Sequence, residues 1–200
     1  MPRRPHARTY TRRLWALGVL ALAGPGLAGA AAEHYTLDSV HSLPEFRFTH
    51  AGLTTQTGRF DAARGTIELD AAARGGRVHY EIDTASLDMG FGTERPDSPG
   101  YRLFDVKRFP KITFDSDRLL FGPQGEVVGA QGTLRLLGVA RSQRVTVEHF
   151  RCAVNPMNSR HMCSGEISAI VRRSDFGMLD YIPAISDEIR IRVPVEAYRD

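Results

Sequence analysis

The chain is poor in cysteine, in helical periodicity and in long apolar runs. Its longest apolar run, Leu14 to Ala23, is followed by Gly24, Pro25 and Gly26. That is shorter than the about 20 residues a membrane-spanning helix needs. Catalytic motifs are missing as well. Asp175-Phe176-Gly177 matches the magnesium-holding triplet of protein kinases, but no His-Arg-Asp triplet and no G-x-G-x-x-G accompany it, and 200 residues are too few for two kinase lobes. No H-x-x-x-H or H-E-x-x-H pair supports a zinc enzyme. No G-x-S-x-G elbow marks a nucleophile. Carboxylates are spread along polar faces rather than paired. These absences point away from an enzyme, a bound metal and a cofactor.

An excess of basic charge is also missing once the N-terminus is set aside. Arg3, Arg4, Arg8, Arg12 and Arg13 precede the apolar run, and the small residues Ala28-Gly29-Ala30-Ala31-Ala32 follow it. A basic region, a short apolar core and an A-x-A-like site make a secretory signal peptide. Residues 1–32 are therefore read as a cleaved signal and residues 33–200 as the mature domain, with no span retained. Ala28-x-Ala30 and Ala30-x-Ala32 both fit the cleavage site. Thr11-Arg12-Arg13 leaves twin-arginine export open beside the general route. The whole chain has 26 Lys+Arg and 23 Asp+Glu, net +3; without the five leader arginines it has 21 against 23, net −2. Nothing in that balance calls for nucleic acid as a partner.

What is present is alternation. Phe46 and Phe48, Ile67 and Leu69, Val78, Tyr80 and Ile82, Ile112 and Phe114, Leu134 and Leu136, Val145 and Val147, and Ile189 to Val195 each alternate with polar residues. A strand points successive side chains to opposite faces, so each run has one buried and one wet face, as in antiparallel sheets. Turn residues at Asp70–Gly76 and Gly122–Gly125 separate the runs. About eight such strands suit either a sandwich or a closed barrel. The best helical segment runs from Asp97 to Phe104, with Asp97 or Ser98 as cap and Pro99 in the first turn. His50 shares the parity of Phe46 and Phe48, and reads either as an inward contact or as a hydrogen-bonded structural histidine.

The only two cysteines, Cys152 and Cys163, flank Asn155-Pro156-Met157-Asn158-Ser159-Arg160. If that segment is a hairpin tip, the cysteines face each other on paired strands within disulfide range. Export supplies the oxidising compartment in which the bond persists. The alternative, a redox pair, lacks C-x-x-C spacing.

Taken in order, residues 33–199 resemble the YceI family of bacterial exported proteins. The resemblance rests on "YTLDSVHSLPEFRFTHAGLTTQTGRFDAARGTIELD" (35–70), "IDTASLDMG" (82–90), "LFDVKRFPKITFDS" (103–116), "GTLRLLGVARSQRVTVE" (132–148) and "RRSDFGMLDYIPAISDEIRIRVPVEA" (172–197). It identifies Ser174-Asp175-Phe176-Gly177 with the family's strand-end motif before the last strand. It implies an all-β, antiparallel, eight-stranded lipocalin-like barrel with a short helix. It further implies a periplasmic protein whose apolar lumen holds an isoprenoid lipid, a polyprenyl or prenyl-quinone chain. The candidate lumen residues are then Phe46, Phe48 and His50 on one strand, and Val78, Tyr80 and Ile82 on another. Ile112 and Phe114, Leu134 and Leu136, and Ile167 complete the set. A polar head at the mouth would look to Arg47, His50 or Asp175. A homodimer is a family expectation. The chain departs from the family at Arg95-Pro96-Asp97-Ser98, where members often carry Asp-x-His-Leu, which bears on the start of the short helix. Two other roles stay open: presenting or modifying a prenyl-quinone for a redox partner, or a filled barrel acting through its outer surface.

Overall fold

Eleven strands form among the described residues, one for each of the seven alternating runs and four more before or between them. This computed structural model describes Met1 and residues 32–90 and 99–200. The expected export signal and the Arg95–Ser98 segment lie outside the described residues. The strands are β1 (Glu33–Leu37), β2 (Glu45–His50), β3 (Thr54–Phe60), β4 (Ala63–Asp70), β5 (Gly75–Asp83), β6 (Leu87–Asp88), β7 (Lys111–Phe121), β8 (Val127–Leu136), β9 (Val139–Val154), β10 (His161–Arg172) and β11 (Glu188–Arg199). A short helix, α1, spans Pro99–Phe104, within the predicted segment. No helix among the described residues is long and apolar enough to cross a membrane.

Pairing reduces these strands to eight staves. β1 pairs with β4 while β2 pairs with β3, and β4 pairs with β5 while β3 pairs with β6. So β1–β2, β3–β4 and β5–β6 are each one bent stave. The rest follow as an antiparallel meander, β5–β7–β8–β9–β10–β11. β11 closes the ring at both ends of the first stave, with Leu37 opposite Ala197 and Phe46 opposite Ile191. The result is a closed antiparallel eight-stranded barrel, which removes the free sheet edges that an open sheet would carry.

Local chemistry explains the bends and turns. Between β1 and β2 the chain leaves the ladder, and a serine fills the gap. Ser42 Oγ donates to Glu196 O and accepts from Glu196 N, both at 3.0 Å. Ser42 is 1% exposed, so its hydroxyl stands in for the missing strand partner. The two-residue turn Leu137-Gly138 has both residues at positive φ, 51° and 75°, as a tight hairpin matched to strand twist requires. The Asp-Phe-Gly triplet is also a turn. A 3₁₀ segment at Arg173–Phe176 ends at Gly177, φ 77°, which is left-handed. Phe176 is buried, and Ser174 ties the turn to the last loop through Asp187.

The cysteines are directly opposed on β9 and β10 and bonded, with Cα atoms 4.0 Å apart. The core falls into two clusters, a lower one around Tyr35, Leu69 and Leu119 and an upper one around Phe46, Phe60 and Phe176.

Candidate functional site

The inward faces of the staves enclose an apolar lumen in two chambers. The lower has a volume of about 160 Å³ and is lined from all eight staves. The upper measures about 550 Å³ and is bordered by β2, β3, α1, the segment around Met178 and Ile185. Both chambers touch Pro44, Ile82, Ile112, Leu134, Val171 and Ile191, which therefore form a waist between them. The waist includes the fully buried Pro44, held by the Ser42 bend.

Every residue predicted for the lumen lines one chamber or the other. Val78, Tyr80, Phe114 and Ile167 face the lower one. Ile82, Ile112 and Leu134 belong to the waist. Phe46, Phe48 and Leu136 line the upper one, and His50 stands exposed at its rim. The proposed head-group contacts fare differently. Arg47 is exposed opposite Arg190 in the β2–β11 ladder, and neither it nor the exposed Asp175 borders a chamber. Strand parity turns Arg47 outward, and the 3₁₀ turn carries Asp175 off the ladder.

Sequence reading missed several lining residues because the alternation changes phase. In β7 the ladder skips Asp117, so Ser116 and Leu119 both end up buried although their parities differ. In β9 the register shifts around His149, which sits at φ 55°. An extra residue in one strand re-aims everything beyond it. Phe150 thereby turns into the lower chamber. Met89, Leu103 and Met178 were missed for another reason: they sit on α1 and loops, which have no period of two.

The most informative miss is Arg173. It is 5% exposed and lines the upper chamber. Its parity matches Ile167, Ala169 and Val171 on β10, a signal that was legible. Arg173 donates to three backbone carbonyls of the following loop: Nε to Ser186 at 3.0 Å, Nη1 to Asp180 at 3.2 Å and Nη2 to Ile185 at 3.0 Å. Burial pushes its pKa down, opposed by the charges of Asp187 and Asp180. The other polar lining groups of the upper chamber are Glu45, His50 and Gln56. In the lower chamber the Tyr80 hydroxyl donates to Ser42 O at 2.8 Å, and burial raises its pKa. This arrangement offers two apolar chambers that share a waist, with the charged lining groups, Glu45 and Arg173, at the upper one. It suits a long apolar molecule with one polar end.

Comparison with known proteins agrees with this geometry. The family described as the YceI-like domain matches residues 35–197. A UPF0312 protein of Pseudomonas aeruginosa is 26% identical over 181 residues, covering 90% of this chain and 93% of its own. BcnA of Burkholderia cenocepacia has a similar fold, with a TM-score of 0.63 at 21% identity, covering 80% of this chain and 98% of that one. A polyisoprenoid binding domain from Saccharophagus degradans, implicated in plant cell wall breakdown, superposes with a TM-score of 0.56 at 16% identity, covering 83% and 98%.

Proposed function

The chain belongs to the YceI-like family, and from that premise we propose that it is a periplasmic binding protein that holds the chain of an isoprenoid lipid in its lumen. The observation that carries this reading is the apolar lining of the lumen, whose two chambers share the residues of the waist. Its upper chamber, about 550 Å³, falls within the range of ligand pockets, roughly 300–1,000 Å³. Its lower chamber, about 160 Å³, is of the size that stays dry when lined by apolar groups. An isoprenoid tail has no polar group to satisfy. Each buried carbon contributes about 0.8 kcal/mol, so a five-carbon unit contributes about 4 kcal/mol before ordering costs. The protein shields that tail from water and carries or sequesters the lipid. The expected export signal places this activity in the periplasm.

The test is direct. The full chain, with its own signal, is expressed in a bacterium and purified from the periplasm without detergent. The protein is then extracted with organic solvent and the extract weighed by mass spectrometry. A stoichiometric prenyl species supports the reading. An empty extract from folded, disulfide-bonded protein that also takes up no added prenyl lipid refutes it.

A further inference from the structure

Large apolar side chains gather on the outside of the barrel beside the upper chamber. Leu53 is 87% exposed, Leu179 62%, Tyr181 53% and Ile182 36%. Leu53 sits in the β2–β3 turn, and the other three lie on the loop between β10 and β11. The two loops are joined. His50 bridges to Ile185, the Ala51 N–H donates to Ala184 O at 2.6 Å, and the Ser186 N–H donates to Thr49 O at 2.9 Å. The β10–β11 loop is also held from inside, where Arg173 donates to the carbonyls of Asp180, Ile185 and Ser186. The tips are thus tied down with their apolar side chains outward. Single exposed apolar residues call for no explanation, but a grouped patch marks an interaction site. Its charge narrows the partner. No Asp, Glu, Lys or Arg occurs from Ala51 to Thr57, and Asp180 is the only one from Gly177 to Ser186. The adjoining outer face of β11, by contrast, exposes Glu188, Arg190 and Arg192. An uncharged patch complements an uncharged surface. The patch is also continuous with the chamber, because Met178 and Ile185 of the same loop line it. An isoprenoid lipid is insoluble in water and resides in a bilayer, so the apolar rim borders the compartment that such a lipid would enter.

We propose that the β2–β3 turn and the β10–β11 loop dock the protein on the surface of a lipid bilayer. Leu53, Leu179, Tyr181 and Ile182 enter the interface, and the upper chamber then faces the membrane from which its ligand is drawn. This rests on the lipid-binding reading and adds where the ligand is collected. Tyr181 brings the amphipathic ring that suits the level of the head groups. Four side chains bury far less apolar surface than a spanning helix, so docking is reversible. The patch has no Lys or Arg, so docking needs no anionic lipid.

The test uses the exported full-length protein, stripped of lipid, and vesicles of phosphatidylcholine alone or mixed with phosphatidylglycerol. The protein is expected to float with both kinds alike and to stay bound at high salt. Combining Leu53→Ser, Leu179→Ser and Ile182→Ser should weaken vesicle binding by about tenfold or more. None of the three lines a chamber, so the same variant should take up dispersed geranylgeraniol with an affinity within about twofold of wild type. It should take up that alcohol from vesicles more slowly. If the triple variant fails to fold, Leu179→Trp decides: its emission should shift to the blue when vesicles are added, the chain's one other tryptophan, Trp15, lying in the expected signal. An unshifted spectrum overturns the proposal. So does wild-type protein that does not float with phosphatidylcholine, or that floats only with the anionic vesicles and is released by salt. A triple variant that floats as well as wild type overturns it too. A wild-type dimer that does not float and that the triple variant breaks makes the patch a contact between copies, and equally overturns it. Uptake of geranylgeraniol without flotation overturns the docking alone. Flotation without uptake from either source upholds the docking and overturns the lipid-binding reading.

Discussion

Ala169 offers a way to weigh the lower chamber. It lies on β10 opposite Ile191, is only partly buried, and lines that chamber. Replacing it with isoleucine adds three carbons on the lumen side of a strand, in a residue that strands favour. If the chamber of about 160 Å³ is real space, those carbons leave water without displacing a neighbour. At about 0.8 kcal/mol per buried carbon the gain is about 2 kcal/mol, or roughly 4–8 °C in Tm for a chain of this size. The assay is thermal and urea unfolding of lipid-free Ala169→Ile against wild type. A barrel already filled by its own side chains gives the opposite sign, because overpacking costs about 1–3 kcal/mol. A loss of that size would refute both the chamber and the reasoning built on it. The same variant should shorten the longest prenyl chain the protein retains, because the plug sits beyond the waist.

Two further outcomes follow from the disulfide and from one carboxylate. Reducing the Cys152–Cys163 bond, which closes a loop of sequence separation 11, should cost about 3 kcal/mol, read by urea unfolding with and without reductant. A midpoint unmoved by reductant, with the bond shown to be broken, would mean that the hairpin needs no staple. Asp187 has a pKa held below the usual carboxylate value, first by the Ser174 N–H and then by the Ser174 hydroxyl. Because its folded pKa is depressed, its contribution is fully present above the ordinary Asp pKa of about 3.9 and lost as pH falls through the folded value. Asp187→Asn should therefore lower stability at neutral pH and flatten the acid limb below about pH 4. An unchanged acid limb in an Asp187→Asn titration would show that the Ser174 contacts do not persist in solution.

Parity made much of the lumen legible from the residues alone. Phe46, Val78, Ile112 and Leu134 could be placed on inward faces because period two is a local property of an extended backbone. The β4–β5 and β7–β8 turns were equally visible, since glycine and proline mark them. Where parity failed, a bulge had intervened: nothing near Asp117 or His149 announces that the strand gains a residue there, because the gain is defined only against the partner strand. Arg173 shows the other limit. Its parity pointed inward, yet a positive charge reads as a surface residue until three loop carbonyls are seen to enclose it.

The strand class, the turns and the hairpin that opposes the cysteines are encoded locally, because each depends on neighbours within a dozen residues. Tertiary structure decided that the sheet closes, through β11 meeting both halves of the first stave. It also decided where Ser42 and Pro44 pinch the lumen into two chambers, and which arginine is buried. Those features join residues as far apart as Leu37 and Ala197. No local pattern encodes a contact whose two sides are brought together only when the barrel shuts.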